Sequence, residues 1–201
     1  MAYTSIIPVH RLDNSVDYVL DEKKSSRSQN ADSLQAAMDY ALNKDKTEQD
    51  LFCSAIGCML DSAFADMCQI KKMWHKEKGV QGFHLVQSFA AGEVTPELAH
   101  QIGRELADRL LDGKFQVVIS THLNTGHIHN HLVWNSVSIQ TGKKYRSNEK
   151  SYVTGVRRIS DELCRKYHLS VIDTEKSERV ARPYAQWLAE SPLGKLSSSR
   201  M

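Results

Sequence analysis

The sequence predicts an α+β fold in which a central antiparallel β-sheet is flanked by helices. Segments such as "QGFHLVQSF" alternate apolar and polar residues, which is typical of strands with one buried face. Segments such as "TPELAHQIGRELADRLL" carry apolar residues at helical spacing and separate the strand-like segments. Two late strand-like segments, "KFQVVIST" and "HIHNHLVWNSV", flank the short "HLNTG" stretch. That arrangement predicts a hairpin, and a hairpin makes the sheet antiparallel.

The first half of the chain alternates between strand and helix signals. "AYTSIIPVH" predicts a first strand, and "RLDNSVDYVLDEKK" carries a short helical stripe. "DSLQAAMDYALNK" predicts a helix capped by Asp32 or Ser33, with an inward face of Leu34, Ala37, Met38 and Ala41. "LFCSAIGCML" predicts a second strand. "SAFADMCQIKKMWHKE" predicts a helix whose apolar positions are Phe64, Met67, Cys68, Ile70 and Met73.

The second half gives the clearest signals. In "QGFHLVQSF", alternation places Phe83, Leu85 and Phe89 on one face and His84, Val86 and Ser88 on the other. Thr95 is a good helix N-cap and Pro96 suits the first helical position; the stripe that follows is Leu98, Ile102, Leu106 and Leu110. "TGVRRISDELCRKYH" predicts a last helix after the hairpin.

Composition favours an ordinary soluble domain. The chain has 201 residues, is 41% hydrophobic and carries a net charge of only +2, so its overall charge does not indicate a nucleic-acid partner. Four cysteines form no CxxC pair, and neither a membrane-spanning run nor a signal-peptide pattern is present, which favours a reducing cytoplasm. We expect one domain over residues 1–190, with residues 191–201 as a disordered tail or a truncation point.

Four of the nine histidines lie within ten residues, at positions 122, 127, 129 and 131. In a strand, His127, His129 and His131 share one face with Val133 and Asn135, while Ile128, Asn130, Leu132 and Trp134 share the other. A hairpin turn at "LNTG" would return His122 alongside His129 or His131. Three imidazoles on one face can bind a divalent cation and leave coordination positions open. Zinc hydrolysis, nucleotide hydrolysis and phosphodiester transfer are all compatible with such a site.

Two motif interpretations compete for this stretch. "HIHNHLV" is similar to the histidine-triad signature of nucleotide hydrolases, but Asn130 stands where that pattern needs an apolar residue, and His122 is left without a role. The spacing of His122, His129 and His131, followed by an apolar run and Asn135, resembles motif III of conjugative relaxases of the HUH endonuclease superfamily.

Two further segments carry the relaxase resemblance. "GFHLVQSFAAGE" is similar to motif II, and "NSVDYVLDEKK" is similar to motif I, which holds the nucleophilic tyrosine. The likeness covers nearly the whole chain and is nearest to the VirD2-like (MOBP) mobilisation proteins. It implies a circularly permuted, palm-type sheet. Asn124 replaces an acidic residue of the family pattern, and position 127 is variable in the family, so His127 is not carried over as a ligand.

The resemblance implies a chemistry and a set of site residues. A tyrosine attacks one DNA strand at an origin of transfer, leaving a 5′-phosphotyrosyl link, while a cation on His122, His129 and His131 polarises the phosphate. Tyr18 is the expected nucleophile, and Tyr40, in a similar Asp-Tyr context, is the alternative. Ser88 and Asn135 are further candidates for the catalytic site. The family usually works with Mg²⁺ or Mn²⁺, although three imidazoles also suit other transition metals.

The implied partners are the single strand and hairpin of an origin of transfer. Candidate DNA contacts are Lys23, Lys24, Tyr145, Arg146, Arg157 and Arg158. Accessory relaxosome proteins and a type IV coupling protein are implied as well, in a bacterial cytoplasm from which the protein can accompany the DNA into a recipient cell. The alternatives are a histidine-triad-like nucleotide hydrolase and a catalytically inactive DNA-binding module.

Overall fold

A five-stranded antiparallel sheet forms the centre of the protein in a computed structural model that describes residues 3–10, 33–42, 52–123 and 127–171. The strands are β1 (Tyr3–Val9), β2 (Cys53–Ile56), β3 (Gly82–Ser88), β4 (Val117–His122) and β5 (His129–Asn135). Their order across the sheet is β1-β3-β5-β4-β2, and each neighbouring pair is antiparallel. The predicted α+β class and the late hairpin are therefore confirmed.

The helices lie on both faces of the sheet. They are α1 (Leu34–Ala41), α2 (Ala63–Met73), α3 (Pro96–Leu111), α4 (Glu149–Ser151) and α5 (Arg158–Lys166), with a π-helical stretch, Tyr152–Arg157, between the last two. Local sequence explains where they begin. The Ser33 hydroxyl accepts a hydrogen bond from the Ala36 amide at 3.1 Å, and Thr95 caps α3 ahead of Pro96, as predicted.

Each face of the sheet has its own hydrophobic core. On one face, Leu85, Leu132 and Trp134 pack against Ile102 of α3 and Leu163 of α5. On the opposite face, the second core joins Val118 and Val133 to residues of α1 and α2: Leu34, Ala37, Met38, Ala41, Ala63 and Met67. The second core meets the sheet through the inner residues of β4 and β5, and the histidines of these strands follow at one end of the same face.

The structure changes three details of the predicted elements. Strand β5 begins at His129, so His127 lies just before the strand and not within it. The last helical segment begins before residue 154 and includes the π-helical stretch. On α2, Lys71 is buried while Met73, predicted to face inward, is 57% exposed. The helix predicted near Tyr18, the domain limit at residue 190 and the 191–201 tail lie outside the described residues.

None of the described helices combines the length and the apolar character needed to cross a membrane.

Candidate metal centre and catalytic cleft

The pairing of two strands, β4 and β5, brings the predicted histidines together. His122 at the end of β4 lies opposite His129 at the start of β5, and His131 follows on the same face. One ring nitrogen from each of the three lies within 4.8 Å of those of the other two. The centroids of the His122 and His131 rings are 4.2 Å apart, and that of His129 is 5.2 Å and 4.9 Å from them. The prediction that these three side chains converge is confirmed.

Each imidazole is oriented by a hydrogen bond from one of its nitrogens. Nε2 of His122 donates to the backbone carbonyl of Ala41 at 2.7 Å, and Nδ1 of His129 donates to that of His127 at 3.0 Å. Nδ1 of His131 shares a 2.7 Å hydrogen bond with Nε2 of His84. A neutral imidazole that donates through one nitrogen presents a lone pair on the other. The remaining nitrogens are Nδ1 of His122 and Nε2 of His129 and His131, so the donor set fits a divalent cation.

His84 has a role that the sequence did not reveal. In the sheet it lies on the same face as His131 and bonds to that ring. Burial, and secondarily the neighbouring His122, lowers the pKa of His84 to about 4. A neutral His84 can accept the Nδ1 proton of His131 and thereby fix the His131 tautomer. Alternation had placed His84 on the correct face, but only the β3–β5 register shows that it meets His131.

Helix α1 covers the inner side of the triad with its C-terminus. The Ala41 carbonyl accepts hydrogen bonds from His122 and from the Ser120 hydroxyl, the latter at 2.6 Å. Carbonyls at a helix C-terminus carry partial negative charge, which favours a nearby cation. The ring of Tyr40 on α1 lies 5.2 Å from that of His131 and 5.6 Å from that of His122, measured between centroids. Tyr40, the alternative nucleophile, is therefore part of the site.

Asn130 anchors the histidine strand from the opposite face of the sheet. Its amide Nδ2 donates to the Ala99 carbonyl of α3 at 2.7 Å and to Oε1 of Gln87 at 3.1 Å. Its Oδ1 accepts from the Thr121 hydroxyl at 2.8 Å, and Thr121 in turn bonds to His100. Asn130 is fully buried, so these bonds satisfy an amide that water cannot reach. These hydrogen bonds explain why a polar residue stands between His129 and His131.

A cleft of about 510 Å³ opens over the triad. Its lining comes from β1, α1, β3 and the residues around the start of β5: Tyr3, Ser5, Ile7, Tyr40, His84, Val86, Ser88, His127, His129 and His131. Ser88 and His127, both singled out in the sequence, therefore belong to the same cleft as the triad. None of the described residues that line it carries a carboxylate.

Asn135 lies at the opposite end of β5 from His129, where its side chain is engaged. Its Nδ2 donates to Oε1 of Gln116 at 2.9 Å and to the Met67 carbonyl at 3.2 Å, and its Oδ1 accepts from Nζ of Lys71. These contacts favour a structural role in joining α2 to the sheet. They do not favour the predicted place of Asn135 in the catalytic site.

The predicted DNA contacts fall into separate regions. Arg157 and Arg158 pair with Asp161 and Glu162 of α5, at 3.9 Å and 3.0 Å. The ring of Tyr145 packs against the rings of Phe83, Trp134 and Phe115, which favours a core role over base stacking. Tyr18, Lys23 and Lys24 lie outside the described residues.

Arg146 lines a large groove at the end of the sheet where β3 begins. The groove has a volume of about 1380 Å³, and its basic residues are Lys76, Lys78, Lys143, Lys144 and Arg146. No acidic side chain is among the described residues that line it. Nζ of Lys144 donates to the Val80 carbonyl at 2.8 Å, which joins the 139–146 segment to the residues before β3. The groove is thus a basic surface built from two separate parts of the chain.

Comparison with known proteins agrees with the geometry. A family model described as "Relaxase: MobA/VirD2-like, nuclease domain" matches residues 40–169. A "Protein rlx" of Staphylococcus aureus is 38% identical over 72% of the chain and 44% of its own length. The "Group II intron-interrupted relaxase LtrB" of Lactococcus lactis subsp. cremoris is 28% identical over 95% of the chain and 41% of its own length. The chain thus spans less than half the length of these curated relatives.

A solved structure described as "Molecular Basis of Vancomycin Resistance Transfer in Staphylococcus aureus" has the same fold. Its TM-score is 0.55 at 10% identity, over 88% of the chain and 99% of the matched one. The family model matches 130 residues, 40–169, and the antiparallel sheet and the histidine triad agree with it. The chain therefore belongs to the MobA/VirD2-like relaxase nuclease-domain family.

Proposed function

We propose that the protein is a site- and strand-specific DNA-nicking transesterase that cleaves single-stranded DNA at an origin of transfer through a 5′-phosphotyrosyl intermediate. The observation that carries the proposal is the convergence of His122, His129 and His131 in a relaxase-family domain, at an open cleft that His129 and His131 line. In this proposal the nick begins the conjugative transfer of a plasmid or an integrative element.

The described residues have distinct parts in the proposed reaction. His122, His129 and His131 would hold a divalent cation, which would polarise the scissile phosphate. His84 holds His131 in one tautomer, and the Ala41 carbonyl does the same for His122. Ser88, at the end of β3 beside His129, contacts the DNA near the nick. Tyrosine Oη bonds to phosphorus as the bond to the 3′ oxygen breaks, and that oxygen leaves with a proton as a 3′-hydroxyl.

Two tyrosines are candidates for the nucleophile. Tyr18 is the expected one because its segment, after the first strand, resembles motif I. Tyr40 has the support of the described contacts, since its ring lies beside those of His122, His131 and His84. We propose Tyr18 as the nucleophile on the strength of the motif I resemblance and keep Tyr40 as the alternative. The two tyrosines lead to opposite outcomes in the covalent-adduct assay.

The metal is proposed to be Mg²⁺ or Mn²⁺. Three neutral imidazoles favour Mn²⁺ over Mg²⁺ on affinity, because Mg²⁺ prefers oxygen ligands. Other transition metals would bind the same nitrogens, so availability in the cell decides which ion is used.

We assign the basic groove to the duplex stem of an origin hairpin. The described residues that line the groove include five basic side chains and no acidic one, which suits phosphate backbones, and Arg146 is the predicted contact among them. The groove lies at the far end of β3 from Ser88, so a stem bound there would reach the cleft through a single-stranded extension. Contacts of this kind supply affinity and orientation and carry no sequence information.

The wider setting is proposed from the family. The protein acts in the bacterial cytoplasm with accessory relaxosome proteins and a type IV coupling protein, and can enter the recipient cell with the DNA. Because the chain spans less than half of its curated relatives, these partners belong to the proposal for the whole protein.

A covalent-adduct assay tests the proposed function. Labelled single-stranded oligonucleotides carrying an origin-like site are incubated with Mn²⁺ and with wild type, Tyr18→Phe or Tyr40→Phe, and adducts are resolved on denaturing gels. We expect an adduct with wild type and Tyr40→Phe and none with Tyr18→Phe. The reverse pattern moves the nucleophile to Tyr40, and cleavage without an adduct would contradict the transesterase.

The two alternative functions give different outcomes in the same assay. A histidine-triad-like nucleotide hydrolase would release nucleoside monophosphate with no tyrosine requirement. The family match and the burial of Asn130 between the two histidines disfavour it. An inactive DNA-binding module would bind the hairpin and never cleave it.

A further inference from the structure

We propose that Tyr3 is a stacking platform for a base of the DNA strand close to the scissile phosphate. The proposal rests on the proposed function, since it assumes that a single strand lies in the cleft. It assigns a substrate-binding role to a residue of β1 that has no role in the proposed chemistry.

The pairing of the strands places Tyr3 in the same row as the metal ligands. Tyr3 lies opposite Ser88, Ser88 lies opposite His129, and His129 lies opposite His122. Neighbouring strands are about 4.8 Å apart, so the Tyr3 backbone is two strand spacings, roughly 10 Å, from that of His129. That span corresponds to about three nucleotides at the roughly 3.4 Å rise of one strand in a duplex, and to fewer in a more extended single strand.

The exposure of Tyr3 is unusual for the described part of the chain. Its ring belongs to a side chain that is 56% exposed, and the other large exposed aromatic among the described residues is Tyr40, at 36%. Both line the cleft over the triad. An aromatic ring held on a strand and open to solvent offers a flat surface to any base, because every base has a π-face.

The surroundings of Tyr3 fit a base better than a phosphate. The ring also borders a second cavity of about 400 Å³, at the β1 edge of the sheet, whose lining includes Ser147, Asn148 and Glu149. Neither cavity has a lysine or arginine among the described residues that line it. Among the described lining residues, a phosphate would find no cationic side chain beside Tyr3, whereas the triad offers a cation site at the other end of the same row. The strand is thus oriented with a phosphate at the histidines and a base at the ring.

A binding cycle with abasic oligonucleotides tests this role. Affinity for a fluorescent single strand spanning the nick site is measured with wild type, Tyr3→Ala, Tyr3→Phe and Met59→Ala. Met59 is a matched control because it is 71% exposed and lies outside the cleft lining. We expect Tyr3→Ala to weaken binding on the order of tenfold, and Tyr3→Phe and Met59→Ala to change it less than twofold.

The abasic positions separate stacking from a structural effect. Removing the base that stacks, within three nucleotides of the nick, should weaken wild type by the same factor as Tyr3→Ala and should cost Tyr3→Ala nothing further. Equal losses for both proteins at every abasic position, or no loss with Tyr3→Ala, would overturn the proposal. If wild type binds the strand but forms no adduct, the proposed function fails. The binding measurements with abasic oligonucleotides would still decide whether Tyr3 stacks on a base.

Discussion

Each histidine of the triad is held by a hydrogen bond to a group outside the triad, so the rings are oriented before a cation arrives. Backbone carbonyls hold His122 and His129, whereas His131 depends on the side chain of His84. A backbone carbonyl survives any substitution, but a side chain does not. His84 is therefore the one orienting group of the three that mutation can remove cleanly.

We expect His84→Ala to lower the affinity for Mn²⁺ by roughly 10- to 100-fold, the usual cost of losing a group that orients a metal ligand. Isothermal titration calorimetry of the purified protein measures it. His84→Gln keeps a side-chain oxygen that can accept from His131 and should retain more of the affinity. An unchanged affinity in His84→Ala would show that His131 needs no such partner.

At the scale of elements, Asn130 ties β5 to α3. The helix approaches the strand closely at Gly103, where a Cβ atom would lie 2.8 Å from Nδ2 of Asn130 and 3.3 Å from a methyl of Ile119. Nδ2 cannot move away without lengthening its bonds to Ala99 and Gln87. The glycine therefore permits the contact that anchors the strand carrying the histidines.

We expect Gly103→Ala to destabilise the fold by about 1–3 kcal/mol, although alanine is otherwise the better helix residue. Urea denaturation measures the change. Gly155→Ala is the matched control, because its Cβ would meet only a leucine methyl, Leu110 Cδ1, at 3.9 Å. Equal or greater stability in Gly103→Ala would mean that the Asn130 contacts contribute little.

At the scale of the whole molecule, the opposite ends of the sheet carry differently lined surfaces. One end holds the histidine cleft, and the other holds the basic groove. At the groove end, the buried Lys71 of α2 donates a hydrogen bond to Asn135 of β5. Lys71 has no exposed surface. Burial, with Lys144 adding to it and Cys68 opposing it, lowers the pKa of Lys71 to about 7.

This lowered pKa predicts how stability depends on pH. Between about pH 7 and the ordinary lysine value of 10.5, the unfolded chain holds the Lys71 proton more tightly than the folded protein does. The contribution of Lys71 to the free energy of unfolding should therefore rise with pH across that window, by at most about 1.4 kcal/mol per pH unit. Lys71→Met should remove this rise and stabilise the protein at neutral pH by roughly 1–3 kcal/mol.

Urea titrations of wild type and Lys71→Met between pH 6 and 10 test the prediction. Oδ1 of Asn135 keeps the amide of Val137 as a donor in the variant, so the loss of Lys71 does not leave it without a partner. Parallel curves for the two proteins across the window would contradict the assigned pKa.

The sequence was enough for the elements and the triad, and insufficient wherever distant segments meet. Alternation and capping placed β3, α1 and α3 because these signals are local, and the histidine spacing selected His122, His129 and His131. The contacts of His84 with His131, and of Asn130 with Ala99, depend on strand register and helix placement, which local patterns do not encode. Lys71 was missed because a lysine in a helix normally faces solvent. The proposed role of Tyr3 depends on its pairing with Ser88 and on its exposure, and neither is visible in the sequence.

In the proposed reaction, the triad supports covalent attachment of DNA to this domain. The most direct measurement is intact mass spectrometry of wild type and His129→Ala after incubation with Mn²⁺ and an origin-like single strand. We expect wild type to gain the mass of the 3′-side cleavage product and His129→Ala to gain none while still binding the strand. A free cleavage product with no gain in protein mass, or an equal gain in His129→Ala, would contradict it.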